Sequence, residues 1–182
     1  IHERLVGSEM CIRDRYYIID TEINDIVFNI RKEANPCALC AKLRKGAFNN
    51  KALKLGCNKI AYAHHRDDVN ETFMMSLIYE GRIHTFSPMS HLDKTKLTLI
   101  RPLILAPEAD IIGFTRKYEL PIVKNLCPAD GVTKRHETKE LIKGINDGAP
   151  GFHTRLFSAI AHGNLEDWPK RNEHTRDNNN AP

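Results

Sequence analysis

Between residues 36 and 81 the chain alternates between helical and extended patterns in a way that admits few folds. Pro36 opens a run of good helix formers that reaches about Leu55, and Gly56 stops it. A proline at a helix start forfeits only a donor that the first turn leaves unpaired, and a glycine accepts the left-handed cap. Lys59-Ile60-Ala61-Tyr62-Ala63 then reads as a brief, mostly apolar strand. From Asp67 a second helix begins, with Phe73, Met74, Leu77 and Ile78 as its buried stripe and Gly81 as its end. A strand between two helices sets residues distant in sequence at one end of a sheet, which in an open α/β fold is the usual place for a ligand.

The flanking residues extend the same pattern. Tyr16-Tyr17-Ile18-Ile19 is rich in strand formers, and Ile23, Ile26, Val27 and Ile30 recur at helical spacing after Asp20 and Thr21. Residues 85–105 hold two extended runs around Asp93-Lys94-Thr95-Lys96, the later being Leu97-Thr98-Leu99-Ile100. Pro107 and Glu108 introduce a helix with Ile111, Ile112, Phe114 and Tyr118 on its apolar side, and Leu120-Pro121-Ile122-Val123 reads as a further short strand. Residues 133–145 and 150–162 complete the pattern as two helices. The alternation predicts an α/β fold with a Rossmann-like parallel sheet and flanking helices.

At 182 residues and 41% hydrophobic, the chain can bury one core of ordinary domain size. No apolar run approaches the roughly 20 residues that span a bilayer, and the N-terminus lacks the order of a signal peptide, so the expectation is a cytoplasmic protein without a membrane partner. The formal charge of +4 permits an anionic partner without requiring one. Residues 1–15 are set apart from fold reasoning: the run from Leu5 to Arg15 looks like a translated transposon-type sequencing adaptor, which places Cys11 in no site. The remaining organisation is expected to be 16–131 as an α/β domain, 132–168 as a C-terminal helical region and 169–182 as a disordered, Asn-rich tail.

Five cysteines with one close pair do not make a disulfide framework. Cys37 and Cys40 are three residues apart, so on a helix both sulfurs face one side, within reach of one soft metal centre, and Cys127 is the candidate third thiol. Cys57, beside a strand, reads as packing. Arg44 falls on the thiol face, where it is either a bidentate phosphate ligand or a surface cation beside Lys42, Lys45 and Lys51. Asp67 and Asp68 follow His64 and His65 at a strand's end. They suit a magnesium ion, and they equally suit an acidic first turn with Glu71 and Thr72 in a capping arrangement. Arg135, Lys139 and Lys143 recur every four residues, as a stripe for RNA phosphates or as a solvated face beside Glu137 and Glu140. Trp168 reads as a packing anchor.

Three ordered motifs carry a resemblance: Cys-Ala-Leu-Cys-x-x-Leu-Arg-x-Gly from Cys37, His64-His65-Arg66-Asp67-Asp68-x-x-Glu71-Thr72 after Lys59-Ile60-Ala61, and Ile100-Arg101-Pro102-Leu103. Together they resemble the tRNA 2-thiocytidine synthetase family of the PP-loop ATP pyrophosphatases over residues 16–168, which implies an adenine nucleotide alpha-hydrolase-like fold incomplete at the N-terminus, with 16–131 as the C-terminal part of a PP-loop ATPase domain. The resemblance implies an ATP-dependent tRNA sulfurtransferase that adenylates a base carbonyl and then displaces AMP with sulfur. It implies a four-iron four-sulfur (4Fe-4S) cluster on Cys37, Cys40 and Cys127, with ATP and Mg2+ as further cofactors. It places Arg44 and Asp68 at the catalytic centre, with His64, Asp67, Asp68 and Glu71 about the nucleotide. Its implied partners are tRNA and a sulfur donor such as a cysteine desulfurase, and a homodimer is among the assemblies it admits. Two departures stand out: Ala63 occupies the position of a family glycine, and the Ser-Gly-Gly-x-Asp-Ser phosphate loop is absent, so a truncated chain that is inactive alone is expected. The alternatives are a non-catalytic zinc-binding module that contacts RNA, or another ligase of the superfamily, of lysidine or 2-thiouridine type.

Overall fold

The structure, a computed structural model, describes residues 17–33, 35–123, 127–129, 131, 133–163, 165 and 168. The expectations for residues 1–15 and 169–182 lie outside these. Nine elements are labelled in chain order: α1 (Ile23–Asp25), α2 (Pro36–Lys54), β1 (Lys59–Ala61), α3 (Arg66–Met75), β2 (Met89–Leu92), β3 (Leu97–Ile100), α4 (Glu108–Lys117), α5 (Lys134–Gly148) and α6 (Phe152–His162). Both α1 and α3 run on as π-helix, over Ile26–Arg31 and Ser76–Glu80. None of the described helices is long and apolar enough to cross a membrane.

The local signals act as the residue chemistry requires. Asn35 caps α2 by accepting a hydrogen bond from the Ala38 N–H at 3.2 Å, and Pro36 takes the first helical position. Gly56 and Gly81 adopt φ of +72° and +64°, the left-handed conformation in which a helix C-terminus is closed. Thr133 caps α5 through the His136 N–H.

The sheet has the order β1-β3-β2. Tyr62 N–H donates to Ile100 O and Thr98 N–H to Asn58 O, so residue numbers rise together along β1 and β3, the register of a parallel pair. β2 and β3 are joined by a turn at residues 93–96 that makes them a hairpin, with Lys96 N–H closing on Leu92 O at 2.7 Å. The sheet is therefore mixed, where the alternation alone predicts a parallel one: a four-residue turn returns the chain directly, and a parallel neighbour needs a crossover.

The chain divides into two units: residues 1–60, 91–99 and 112–131, and residues 61–90, 100–111 and 132–182. The first buries Ile23 and Val27 of the N-terminal helix, Ala52 of α2, and Ile60, Leu97 and Leu99 of the sheet. In the second, Val69, Ile104, Ile160 and Trp168 form the core, with Phe73, Phe86, Leu156 and Phe157 against them. The Trp168 ring stands edge-on to Phe157 with centroids 5.8 Å apart, and is the packing anchor that the sequence suggests.

Four expectations are corrected. Leu77 and Ile78 are each 45% exposed: they lie beyond Met75, where the wider π turn rotates side chains off the α-helical stripe. Ile112 and Phe114 of α4 and Tyr118 just beyond it are exposed, and the latter two stack on each other with centroids 4.5 Å apart. Residues 120–123 form no strand: Leu120 N–H closes the end of the α4 turn on Thr115 O, and Pro121 has no donor to offer a ladder. Residues 17–19 are likewise irregular.

Candidate functional site

The start of α3 gathers the chain's densest polar network. β1 delivers His64 and His65 from its end, and His65, in extended backbone conformation, becomes the N-cap of α3. Its Nδ1 accepts from the Asp68 N–H at 3.4 Å, and its own N–H donates to Asp68 Oδ2 at 2.9 Å, a reciprocal capping box with histidine in the place usually held by serine or threonine. The capping that the sequence suggests is thus present, but built from His65 and Asp68, leaving Glu71 for another partner.

Asp67 points the other way. Its Oδ2 accepts from the Glu108 N–H at 2.7 Å and so caps the first turn of α4, while Oδ1 lies 3.4 Å from His153 Nδ1 on α6. The backbone locks the same junction, because Arg66 N–H donates to Ala106 O at 2.9 Å. Each aspartate therefore commits one oxygen to a backbone N–H.

Glu71 is 5% exposed and faces Arg135 of α5, whose Nη1 reaches Glu71 Oε2 at 2.8 Å and whose Nη2 donates to Thr72 Oγ1 at 3.1 Å. The same guanidinium lies 3.6 Å from Asp68 Oδ1. Burial raises the Glu71 carboxyl above the ordinary range, and the Arg135 hydrogen bond and charge draw it part of the way back. His64 packs its ring on Phe86, centroids 4.8 Å apart, and edge-on to Tyr62. Burial lowers its pKa, opposed by the Asp68 charge, and its Nδ1 is buried without a hydrogen-bond partner. Arg101 lies over the other contact of this stack, 4.6 Å above the Phe86 ring, and donates to Ser87 O.

The stripe on α5 turns inward or pairs with acids. Arg135 is held by Glu71, Lys139 by Glu108 at 2.7 Å, and Lys143 lies 3.9 Å from Glu140. Arg135 as an anchor of the acidic turn is the residue that sequence reasoning missed: 64 residues separate it from Glu71, and no local pattern joins them.

In the first unit, α2 carries Cys37, exposed, and Cys40, half-buried, one turn apart, with Arg44 exposed one turn further on. Cys127, half-buried, belongs to the same unit. None of the three is in a disulfide. Cys57, expected to pack, is exposed: the left-handed turn at Gly56 closes the helix by bonding Cys57 N–H to Ala52 O at 2.9 Å, and carries its side chain outward. Among the described residues, no three His, Cys, Asp or Glu side chains converge closely enough to hold a metal ion. The donor set nevertheless suits iron: three thiols in one unit, none in a disulfide, two at the spacing of one helical turn.

A mixed sheet with flanking helices, a strand ending in a carboxylate-rich helix start and a one-turn thiol pair define an α/β protein of the PP-loop class. The family model described as the PP-loop domain matches residues 9–135, and the chain belongs to that family. It is similar to the tRNA-cytidine(32) 2-sulfurtransferase of Teredinibacter turnerae, 35% identical over 147 residues that make up 80% of this chain and 49% of the relative. The enzyme of the same name from Citrifermentans bemidjiense is 32% identical over 149 residues, 80% of this chain and 58% of the relative. The chain thus spans about half the length of the curated relatives it matches. Among solved structures it is similar to the U34-tRNA thiolase NcsA from Methanococcus maripaludis with its [4Fe-4S] cluster. The TM-score is 0.58 at 23% identity, over 71% of this chain and 44% of that one, a likeness of fold.

Proposed function

We propose that the chain is the thiol- and carboxylate-bearing part of a cytoplasmic, ATP-dependent tRNA sulfurtransferase that thiolates a base of the 2-thiocytidine type. One observation carries this reading: within the PP-loop match, a one-turn thiol pair on α2 accompanies an α3 start whose two aspartates are held in fixed orientation. Thiolation of this kind needs a nucleotide to activate a base oxygen and a thiol-ligated centre to present sulfur, and the two residue sets serve those two needs.

Asp68 and Asp67 retain lone pairs beside those bonded to N–H groups, and would hold Mg2+ on the nucleotide's phosphates. Arg44 presents a guanidinium suited to phosphate oxygens. His64, neutral through burial, adds an imidazole without adding charge to the aspartates. Glu71 acts one step back, fixing Arg135 and through it Asp68. Cys37, Cys40 and Cys127 would hold the iron–sulfur cluster, which when bound supplies an iron without a protein ligand to carry sulfur. A cysteine desulfurase is the class of donor that would load it. The 182 residues contain no glycine-rich loop to cradle pyrophosphate, and alone should release no AMP in a tRNA-dependent way.

The test is anaerobic reconstitution with iron, sulfide and zinc all offered. A brown protein with broad visible absorbance is expected, its colour lost in Cys37→Ala, Cys40→Ala or Cys127→Ala and kept in Cys57→Ala. Stoichiometric zinc without iron would instead establish the structural zinc module.

A further inference from the structure

Two helices of this protein carry their cations in contrasting settings. On α5 each cation has a carboxylate of its own: Lys134 with Glu137 at 2.8 Å, Arg135 with Glu71, Lys139 with Glu108 and Lys143 near Glu140. Such a surface has little field to offer a polyanion, because each positive charge is cancelled within a few ångströms.

Helix α2 is built otherwise. Its 19 residues contain Lys42, Arg44, Lys45, Lys51 and Lys54 and not one carboxylate. Lys42, Lys45 and Lys54 are exposed, and none of them enters an ion pair among the described residues. Lys51 lies 4.7 Å over the Tyr17 ring, an attraction that leaves its charge in place. Like charges at i,i+3, as in Lys42 with Lys45 and Lys51 with Lys54, work against an isolated helix, whereas a face that merely meets water normally interleaves acids. Three exposed lysines outside the described ion pairs, on a helix with no carboxylate, are the electrostatic footprint of a phosphate backbone.

We propose that the exposed cations of α2, and not the α5 stripe, form the surface that meets the tRNA backbone, a proposal that rests on the tRNA-modifying reading above. The helix rises about 1.5 Å per residue, so Lys42 stands on the order of 8 Å along the axis from Cys37. Phosphates held at Lys42 and Lys45 bring the neighbouring nucleotides to the end of α2 that carries Cys37 and Cys40. The helix is then both the RNA track and the thiol mount, and the distance between held backbone and thiols is fixed by its own pitch.

The experiment is filter binding of unmodified tRNA by the 182-residue chain from 50 to 300 mM salt, comparing wild type with Lys42→Ala/Lys45→Ala/Lys54→Ala and with Lys134→Ala/Lys143→Ala. Alanine is the best helix former and the sites are exposed, so both variants keep the wild-type circular dichroism. With one phosphate per lysine and about 0.7–0.9 released counterions each, the α2 triple variant loses roughly 50- to 150-fold in affinity at 0.15 M salt, and its log–log salt slope flattens by about 2 to 3. The α5 variant binds as wild type does. Wild-type binding that the α2 triple variant leaves intact overturns the α2 surface and spares the tRNA reading. Absence of measurable tRNA binding by the wild type overturns both.

Discussion

Replacing Arg135 by alanine removes the cation facing Glu71 and leaves a carboxylate whose side chain is only 7% exposed. Breaking a fully buried ion pair costs about 3–5 kcal/mol, mostly because the stranded charge stays desolvated. Here the Arg135 side chain is 43% exposed, so water enters the vacated space and screens part of the loss. The expected cost at pH 7.5 is about 2 kcal/mol. The reverse change, Glu71→Gln, strands a cation that can reach solvent and should cost under about 1 kcal/mol, and the double variant should recover part of the Arg135→Ala loss. The pH dependence has a definite sign. The Glu71 pKa is already raised by burial, and without Arg135 it rises further, so the folded state holds its proton to higher pH than the unfolded chain does. Stability is then full below the unfolded glutamate pKa and falls as pH climbs through the window up to the raised folded pKa. The Arg135→Ala deficit should accordingly shrink between pH 7.5 and pH 5, whereas Arg135→Ala/Glu71→Gln against Glu71→Gln should show little change. Urea unfolding followed by Trp168, the single tryptophan and part of the second unit's core, reads all four proteins. An Arg135→Ala deficit that is independent of pH, or unrelieved by Glu71→Gln, would refute the account of a stranded carboxylate.

His65→Ala should remove the side-chain half of the α3 capping box, leaving the bond from the residue-65 backbone N–H to Asp68 in place, and cost about 1 kcal/mol, read by the same unfolding signal. Val69→Ala empties a fully buried site against Ile104 and Ile160 and should cost about 2–3 kcal/mol, with the midpoint shifted and the urea slope unchanged. In a protein joined to a phosphate-loop segment, Asp68→Asn should abolish tRNA-dependent AMP release and leave the visible absorbance of the cluster untouched; loss of both would mean that the carboxylate is structural.

What the sequence made legible was local. Pro36, Gly56 and Gly81 mark element ends because their backbone preferences act within a few residues, and the two extended runs around residues 93–96 show for the same reason, although not their pairing as a hairpin. Leu77 and Ile78 misled because a stripe counted at 3.6 residues per turn assumes that the helix stays α, and it does not past Met75. His65 as a cap escaped notice because imidazole rarely takes that position. The anchoring of Glu71 by Arg135 is set by packing of α3 against α5, and that of Asp67 by the Glu108 amide at the start of α4, tertiary matters on which periodicity is silent. For the same reason the pairing of Arg135 with Glu71 and of Lys139 with Glu108 shows only in the folded chain.

The bond from the Glu108 N–H to Asp67 Oδ2 makes that amide a reporter built into the protein. Its proton resonance and its exchange with solvent depend on how much electron density the carboxylate can give, so a cation that draws on Asp67 changes the signal of a residue 41 positions away in sequence without touching it. Titration of magnesium into isotope-labelled protein, watched at Glu108, would register occupancy of the acidic turn with no nucleotide, tRNA or turnover required.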